Sequence, residues 1–146
     1  MVKVEIPKRA ILDSTVLINL LRGREEEKKL VEMLEERCVL STTTINAFEL
    51  YYGAYKSGIK KRISDVKALL STILVIGFSE RAAEKAGEII SELEKKGKPI
   101  DVRDLFIGSI ASTEGFTLIT HNKKHFKNIP KLDVASPSEI LVARSS

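Results

Sequence analysis

A single cysteine, Cys38, is present in 146 residues. That excludes an intramolecular disulfide and any cysteine-based zinc cluster. Within the apolar run Cys38-Val39-Leu40 it reads as a buried structural thiol. No apolar stretch approaches the roughly 18 residues that a membrane span needs. The opening MVKVEIPKRAILD is charged and has no long apolar core, so no export leader and no membrane association are expected, and a cytoplasmic location is. No glycine-rich fingerprint follows the first apolar run, which argues against a dinucleotide-binding domain. Repeats, low-complexity stretches and linker-like segments are missing as well, so residues 1–146 are expected to form a single domain.

What is present is ordinary for a globular protein: 43% hydrophobic and 30% charged residues. A chain of this length buries roughly 68–70% of its unfolded surface, enough for one core without covalent staples. The net charge of +4 and pI near 9.2 are only mildly basic. Basic side chains gather at Lys56, Lys60, Lys61, Arg62 and Lys67, and again at Lys123, Lys124, Lys127 and Lys131; acidic ones gather at Glu25, Glu26, Glu27, Glu32, Glu35 and Glu36. Such clusters read first as solvated helix faces.

The apolar pattern alternates between two periods. Ala10–Leu12, Cys38–Leu40, Ile73–Ile76, Phe116–Ile119 and Leu132–Val134 read as short buried strands. Between them run helical stripes: Val16, Leu17, Leu20 and Leu21; Leu30, Met33 and Leu34; Ala47, Leu50, Tyr51 and Ala54; Ala82, Ala86, Ile89 and Leu93 behind a Ser79 cap; and Ile107, Ile110 and Ala111. Strands alternating with helices predict an α/β fold around a mainly parallel sheet, with ligands collecting at the carboxyl ends of the strands.

Carboxylates stand where they are costly. Asp13 directly follows the first strand, as a helix cap or a site residue. Glu49 sits in a helix that is apolar nearly all round, where an unpaired carboxylate needs a cation; the other readings are a Lys or Arg partner, or an edge open to water. Asp101 and Asp104 share a helix face three residues apart, and at about 5 Å two like charges repel by roughly 3 kcal/mol at an effective dielectric of 20. Asp101, two residues after Pro99, reads as the helix cap, whereas Asp104 lies deeper in the apolar run. Thr120 and Asn122 come just past the end of another strand. His121 and His125 are four apart, but their turn context argues against a zinc pair.

Four segments, in order, resemble the PIN-domain family, and within it the VapC-type toxin ribonucleases: Leu12-Asp13-Ser14-Thr15-Val16, Thr44-Ile45-Asn46-Ala47-Phe48-Glu49, Asp104-Leu105-Phe106-Ile107-Gly108, and Leu118-Ile119-Thr120-His121-Asn122. The resemblance runs from Ala10 to about Pro137. It implies a three-layer α/β/α fold, Mg²⁺ or Mn²⁺ held by clustered carboxylates, cleavage of single-stranded RNA, inhibition by a cognate antitoxin, and a homodimer. The acidic positions implied are Asp13, Glu49 and Asp104. Asn122 stands where the family commonly carries aspartate, offering a carbonyl ligand without negative charge, and Asp101 is the hypothetical source of that charge. Thr120 matches the family's small hydroxyl residue near the metal. Lys123, Lys124 and Lys127 are expected to hold RNA phosphates, contacts that carry no base information. Tyr51, Tyr52 and Tyr55 belong either to the core or to a partner surface.

Other readings are a PIN-like RNA-binding or protein-interaction module without catalysis, and an RNA-processing nuclease. A phosphoaspartate enzyme fits less well, because dehalogenase-type phosphatases carry a second aspartate two residues after the nucleophile, where Thr15 stands here.

Overall fold

The computed structural model describes residues 5–145; the first four residues of the charged opening segment lie outside that range. The elements run β1 (Arg9–Leu12), α1 (Ser14–Leu21), α2 (Glu25–Glu35), β2 (Val39–Thr43), α3 (Thr44–Ser57), α4 (Lys60–Leu70), β3 (Leu74–Ile76), α5 (Glu80–Lys95), α6 (Val102–Glu114), β4 (Thr117–Ile119), a 3-10 turn (Lys123–Phe126), β5 (Val134–Ala135) and α7 (Pro137–Ser145). The five strands form one sheet in the order β3-β2-β1-β4-β5, and every pairing is parallel.

Strand alternation divides the core. Ala10 and Leu12 of β1 face Val16, Leu17, Leu30, Leu34, Leu50, Val66 and Ile140, from α1, α2, α3, α4 and α7. Ile11, between them, faces Ala86, Ile89, Leu105, Ile110 and Leu118, with α5 and α6 as the covering helices. Burying both faces explains why β1 reads as a continuous apolar run rather than an alternating one. The result is the expected α/β/α sandwich. At Gly108 a Cβ would run into the Ile129 side chain, so the glycine leaves room for Ile129 of the segment after β4 to pack on α6.

Several expectations need correction. β3 is not buried: it is the sheet edge, with Leu74 56% exposed. β2 starts one residue later than the apolar run and continues through Ser41, Thr42 and Thr43, because those hydroxyls find partners: Ser41 Oγ donates to the Ala10 carbonyl and Thr42 Oγ1 to the Leu12 carbonyl, each at 2.8 Å. β5 is shifted to Val134–Ala135. Helices α4 and α7 add to the five expected ones; α4 is built on Ile63, Val66 and Leu70 beneath the basic residues read as a solvated face. Cys38 is only half-buried, although burial still pushes its thiol up to about 11. Glu27 does not join its exposed neighbours: it is buried, its Oε2 2.8 Å from His121 Nε2.

Strand order reverses at β1, with β2 and β3 on one side and β4 and β5 on the other. In an open parallel sheet this switch point leaves a crevice at the carboxyl ends of the flanking strands. Asp13 leaves β1 there, and Thr120 leaves β4 beside it; the Asp13 backbone N–H donates to the Ile119 carbonyl at 3.0 Å.

A carboxylate cleft at the switch point of the sheet

Asp13 is buried and serves as the N-cap of α1, its Oδ1 accepting from the Ser14 backbone N–H at 2.9 Å. The same oxygen accepts from Asn46 Nδ2 at 2.9 Å, and Oδ2 accepts from Thr120 Oγ1 at 2.6 Å. The cap position also places Asp13 in the cleft, so the two readings do not exclude one another. Thr120 Oγ1 in turn accepts from the Asn122 backbone N–H at 3.0 Å.

Asn46 links three elements. It completes a capping box with Thr43 at the start of α3, and its amide also donates to Ser14 Oγ at 2.8 Å. Ser14 Oγ passes the chain on to Glu49 Oε1 at 2.9 Å. Glu49 lies one turn beyond Asn46, so α3 carries it to the cleft as a direct consequence of where the helix begins. At the other end, Gly58 in the left-handed region (φ 71°) closes α3.

From the opposite layer, α6 brings Asp101, Arg103 and Asp104. Asp101 is the helix N-cap, as expected, accepting from the Arg103 N–H at 2.8 Å. The Arg103 side chain reaches back, Nε 3.4 Å from Asp101 Oδ1 and Nη1 3.7 Å from Glu49 Oε2. Asp104 Oδ2 lies 3.5 Å from His125 Nδ1.

Asp13, Ser14, Thr15, Glu49, Asp101, Arg103, Asp104, Asn122 and His125 together line a cleft of about 260 Å³. All five residues expected to supply ligands are among them. The three lysines are not: none lines the cleft, and Lys123 is engaged by Glu139 at 2.7 Å. The cation that does line it is Arg103, which the sequence reading passed over although it stands between two aspartates. Asn46 was missed as well; the Thr43-x-x-Asn46 spacing was its only signal. The two histidines diverge, His121 to Glu27 and His125 to Asp104.

Electrostatically the cleft is short of positive charge. Asp104 is pushed up to about 6, first by burial, then by the negative charge of Asp101, against a pull from His125. Burial also raises Glu49, opposed by the Ser14 hydrogen bond and reinforced by Asp13. Asp101 is held below the usual range by the Arg103 N–H and guanidinium. Thr15 Oγ1 is buried without a hydrogen-bond partner. Carboxylate, amide and hydroxyl oxygens, a repelled pair of carboxylates and an orphaned hydroxyl suit a hard divalent ion. Among the described residues, the three ligand groups that come within 4.8 Å of one another are Glu26, Glu27 and His121. No three of the cleft carboxylates are in that group.

Comparison with known proteins agrees with this geometry. Residues 10–132 match the family model described as PIN domain. Ribonuclease VapC2 of Rickettsia felis is 39% identical over 103 residues, 70% of this chain and 77% of that protein. The crystal structure of VapBC2 from Rickettsia felis, bound to a DNA fragment from its promoter, superposes with a TM-score of 0.82 at 32% identity, covering 88% of this chain and 98% of that one. A toxin-antitoxin complex from Klebsiella pneumoniae gives a TM-score of 0.70 at 28% identity over 88% of this chain and 97% of that one.

Proposed function

The chain belongs to the PIN domain family, and from that premise we propose that it is an endoribonuclease, dependent on Mg²⁺ or Mn²⁺, that cuts single-stranded RNA as the toxin of a type II toxin-antitoxin pair. One observation carries the reading: Asp13, Glu49 and Asp104, from three separate elements, line a single cleft at the switch point of the sheet.

Asp13, Glu49 and Asp104 would hold the ion, with Asn122 and Asp101 beside them. When bound, the ion supplies an activated water and neutralises charge developing on the phosphate. Asp13 is the fixed point, because three donors on two oxygens leave its carboxylate one orientation. Thr120 and Asn46 set that orientation. Asp104, with His125 Nδ1 3.5 Å from its Oδ2, is the carboxylate we assign to take the proton from the attacking water as the new P–O bond forms and the bond to the leaving ribose oxygen breaks, that oxygen taking its proton from solvent.

The antitoxin reading draws support from a second groove of about 410 Å³ between α1, α3 and α4, with Ile18, Leu21, Leu50 and Val66 along it. Glu49 lines both groove and cleft. An amphipathic helix seated there would carry a basic side chain directly to the carboxylates. We assign a homodimer contact to the exposed face of α3. Phe48 and Tyr52 are each 58% exposed and stack with ring centroids 6.2 Å apart, and Tyr55 continues the stripe, whereas Tyr51 packs on the core. Among the described residues no helix is long and apolar enough to cross a membrane, and the proposed place of action is the cytoplasm.

The test is cleavage of single-stranded RNA with Mn²⁺. Chelation, Asp13→Asn and Glu49→Gln are each expected to lower the rate by at least about a hundredfold with the circular dichroism spectrum unchanged. Full activity in both variants would refute the assignment.

A further inference from the structure

Among the described residues Arg103 is the one arginine or lysine that lines the cleft. Its guanidinium lies across two carboxylates, neither at bidentate distance: 3.4 Å to Asp101 and 3.7 Å to Glu49. More than half of its side chain (54%) is open to solvent. A permanent structural ion pair of arginine is short, forked and often buried; this one is long, single-point on each partner and more than half exposed.

Its place on the chain explains why it sits there. Asp101 caps α6, Arg103 is two residues on, and its side chain points back over the first turn toward α3. With no other arginine or lysine at the cleft, Glu49 draws the guanidinium in. Glu49 is also one of the three carboxylates proposed to hold the divalent ion, so it cannot neutralise Arg103 and serve the ion at full strength together. Resting on Glu49, Arg103 competes for a ligand; released from it, Arg103 is a planar double donor at the cleft mouth. The carboxylates around it would repel an RNA phosphate, and a guanidinium fork is the geometry that holds one.

We propose that Arg103 is the phosphate-holding residue of this site: it rests on Glu49 and Asp101 in the empty cleft and turns to the phosphodiester when substrate and ion are present. This rests on the nuclease reading and adds a second role to it, a built-in competitor for the ion. The phosphate contact inside the cleft therefore comes from α6, while Lys123, Lys124 and Lys127 stand outside the cleft lining.

The two roles move two measurements in opposite directions, which a merely structural arginine would not do. Mn²⁺ affinity is measured by calorimetry on the full chain without RNA. Affinity for a single-stranded 2′-O-methyl RNA, which resists cleavage, is measured by anisotropy with Mn²⁺ at saturation. Arg103→Ala is expected to bind Mn²⁺ about threefold or more tighter, since a competing cation is gone, and the RNA about tenfold weaker, for the loss of a charge-assisted contact. Arg103→Lys, which keeps the charge and loses the fork, should fall between. Unchanged RNA affinity in Arg103→Ala would overturn the phosphate role, and unchanged or weaker Mn²⁺ affinity would overturn the resting contact. If the unaltered protein binds Mn²⁺ and cleaves RNA while either of these results is obtained, the nuclease reading stands and this inference fails. An unaltered protein that binds no Mn²⁺ would overturn both.

Discussion

Replacing Asp104 by asparagine should make the metal-free protein more stable, although it removes a residue proposed as essential. The Asp104 carboxyl rises from an ordinary 3.8 to about 6 on folding, mainly through burial and the nearby charge of Asp101. At about 1.4 kcal/mol per pH unit, ionising it in the folded chain would cost near 3 kcal/mol. Its side chain is 23% exposed, so solvent screening reduces that to about 1–2 kcal/mol. The sign follows from proton linkage. Between pH 3.8 and about 6 the folded state binds this proton more tightly than the unfolded chain does, so stability falls as pH rises through the window, and the penalty is complete above it. Asparagine keeps the shape and has no charge to bury. In chelator, Asp104→Asn is therefore expected to melt about 3–6 °C higher at pH 7.5, with the gap closing toward pH 4. Added Mn²⁺ should reverse the order, because the unaltered protein gains more from the ion. Differential scanning fluorimetry from pH 4 to 8, with and without Mn²⁺, reads all of this. A variant that melts lower in chelator across the whole range would refute the claim that the cleft is repulsive when empty.

Two further outcomes follow from hydrogen bonds in the structure. Thr120→Val removes the donor 2.6 Å from Asp13 Oδ2; it should cost about 1–2 kcal/mol in urea unfolding and lower the cleavage rate, with Thr120→Ser restoring both. His121→Ala leaves the buried Glu27 carboxylate with only a long contact to Asn19 at 3.4 Å. It should destabilise by about 2–4 kcal/mol, more than Glu27→Gln, which removes the buried charge and leaves an amide able to hydrogen-bond His121; the reverse ranking in urea unfolding would refute the reading of Glu27 as a buried carboxylate held by His121.

The parts of the fold read correctly from the sequence are those where one residue has one role. Ala10–Leu12 is apolar, as are Leu118 and Ile119 of β4, because both sheet faces are covered, though β4 begins at Thr117, one residue after the expected start; the Ala82 to Leu93 stripe is clean because α5 has one buried side. Legibility failed where a residue's partner is distant in sequence. Ser41 and Thr42 look like turn residues, yet they extend β2 because β1 carbonyls some thirty positions earlier accept their hydroxyls. Glu27 looks solvated within an acidic run, and only the chain's return at His121 shows otherwise. In the site, Asp13, Glu49 and Asp104 stood out because a carboxylate in an apolar setting is conspicuous. Arg103 did not, because a surface arginine beside aspartates is ordinary until α3 is seen to pack against it.

The double duty of Asn46 has a consequence for how the molecule comes into being. One amide group both starts α3 and fastens Asp13 and Ser14. A nascent or partly melted chain in which that helix has not formed leaves the first aspartate unanchored and the second acid undelivered. Cutting power should thus require α3 to be in place, and recovery of cleavage during refolding should not precede the return of helical signal.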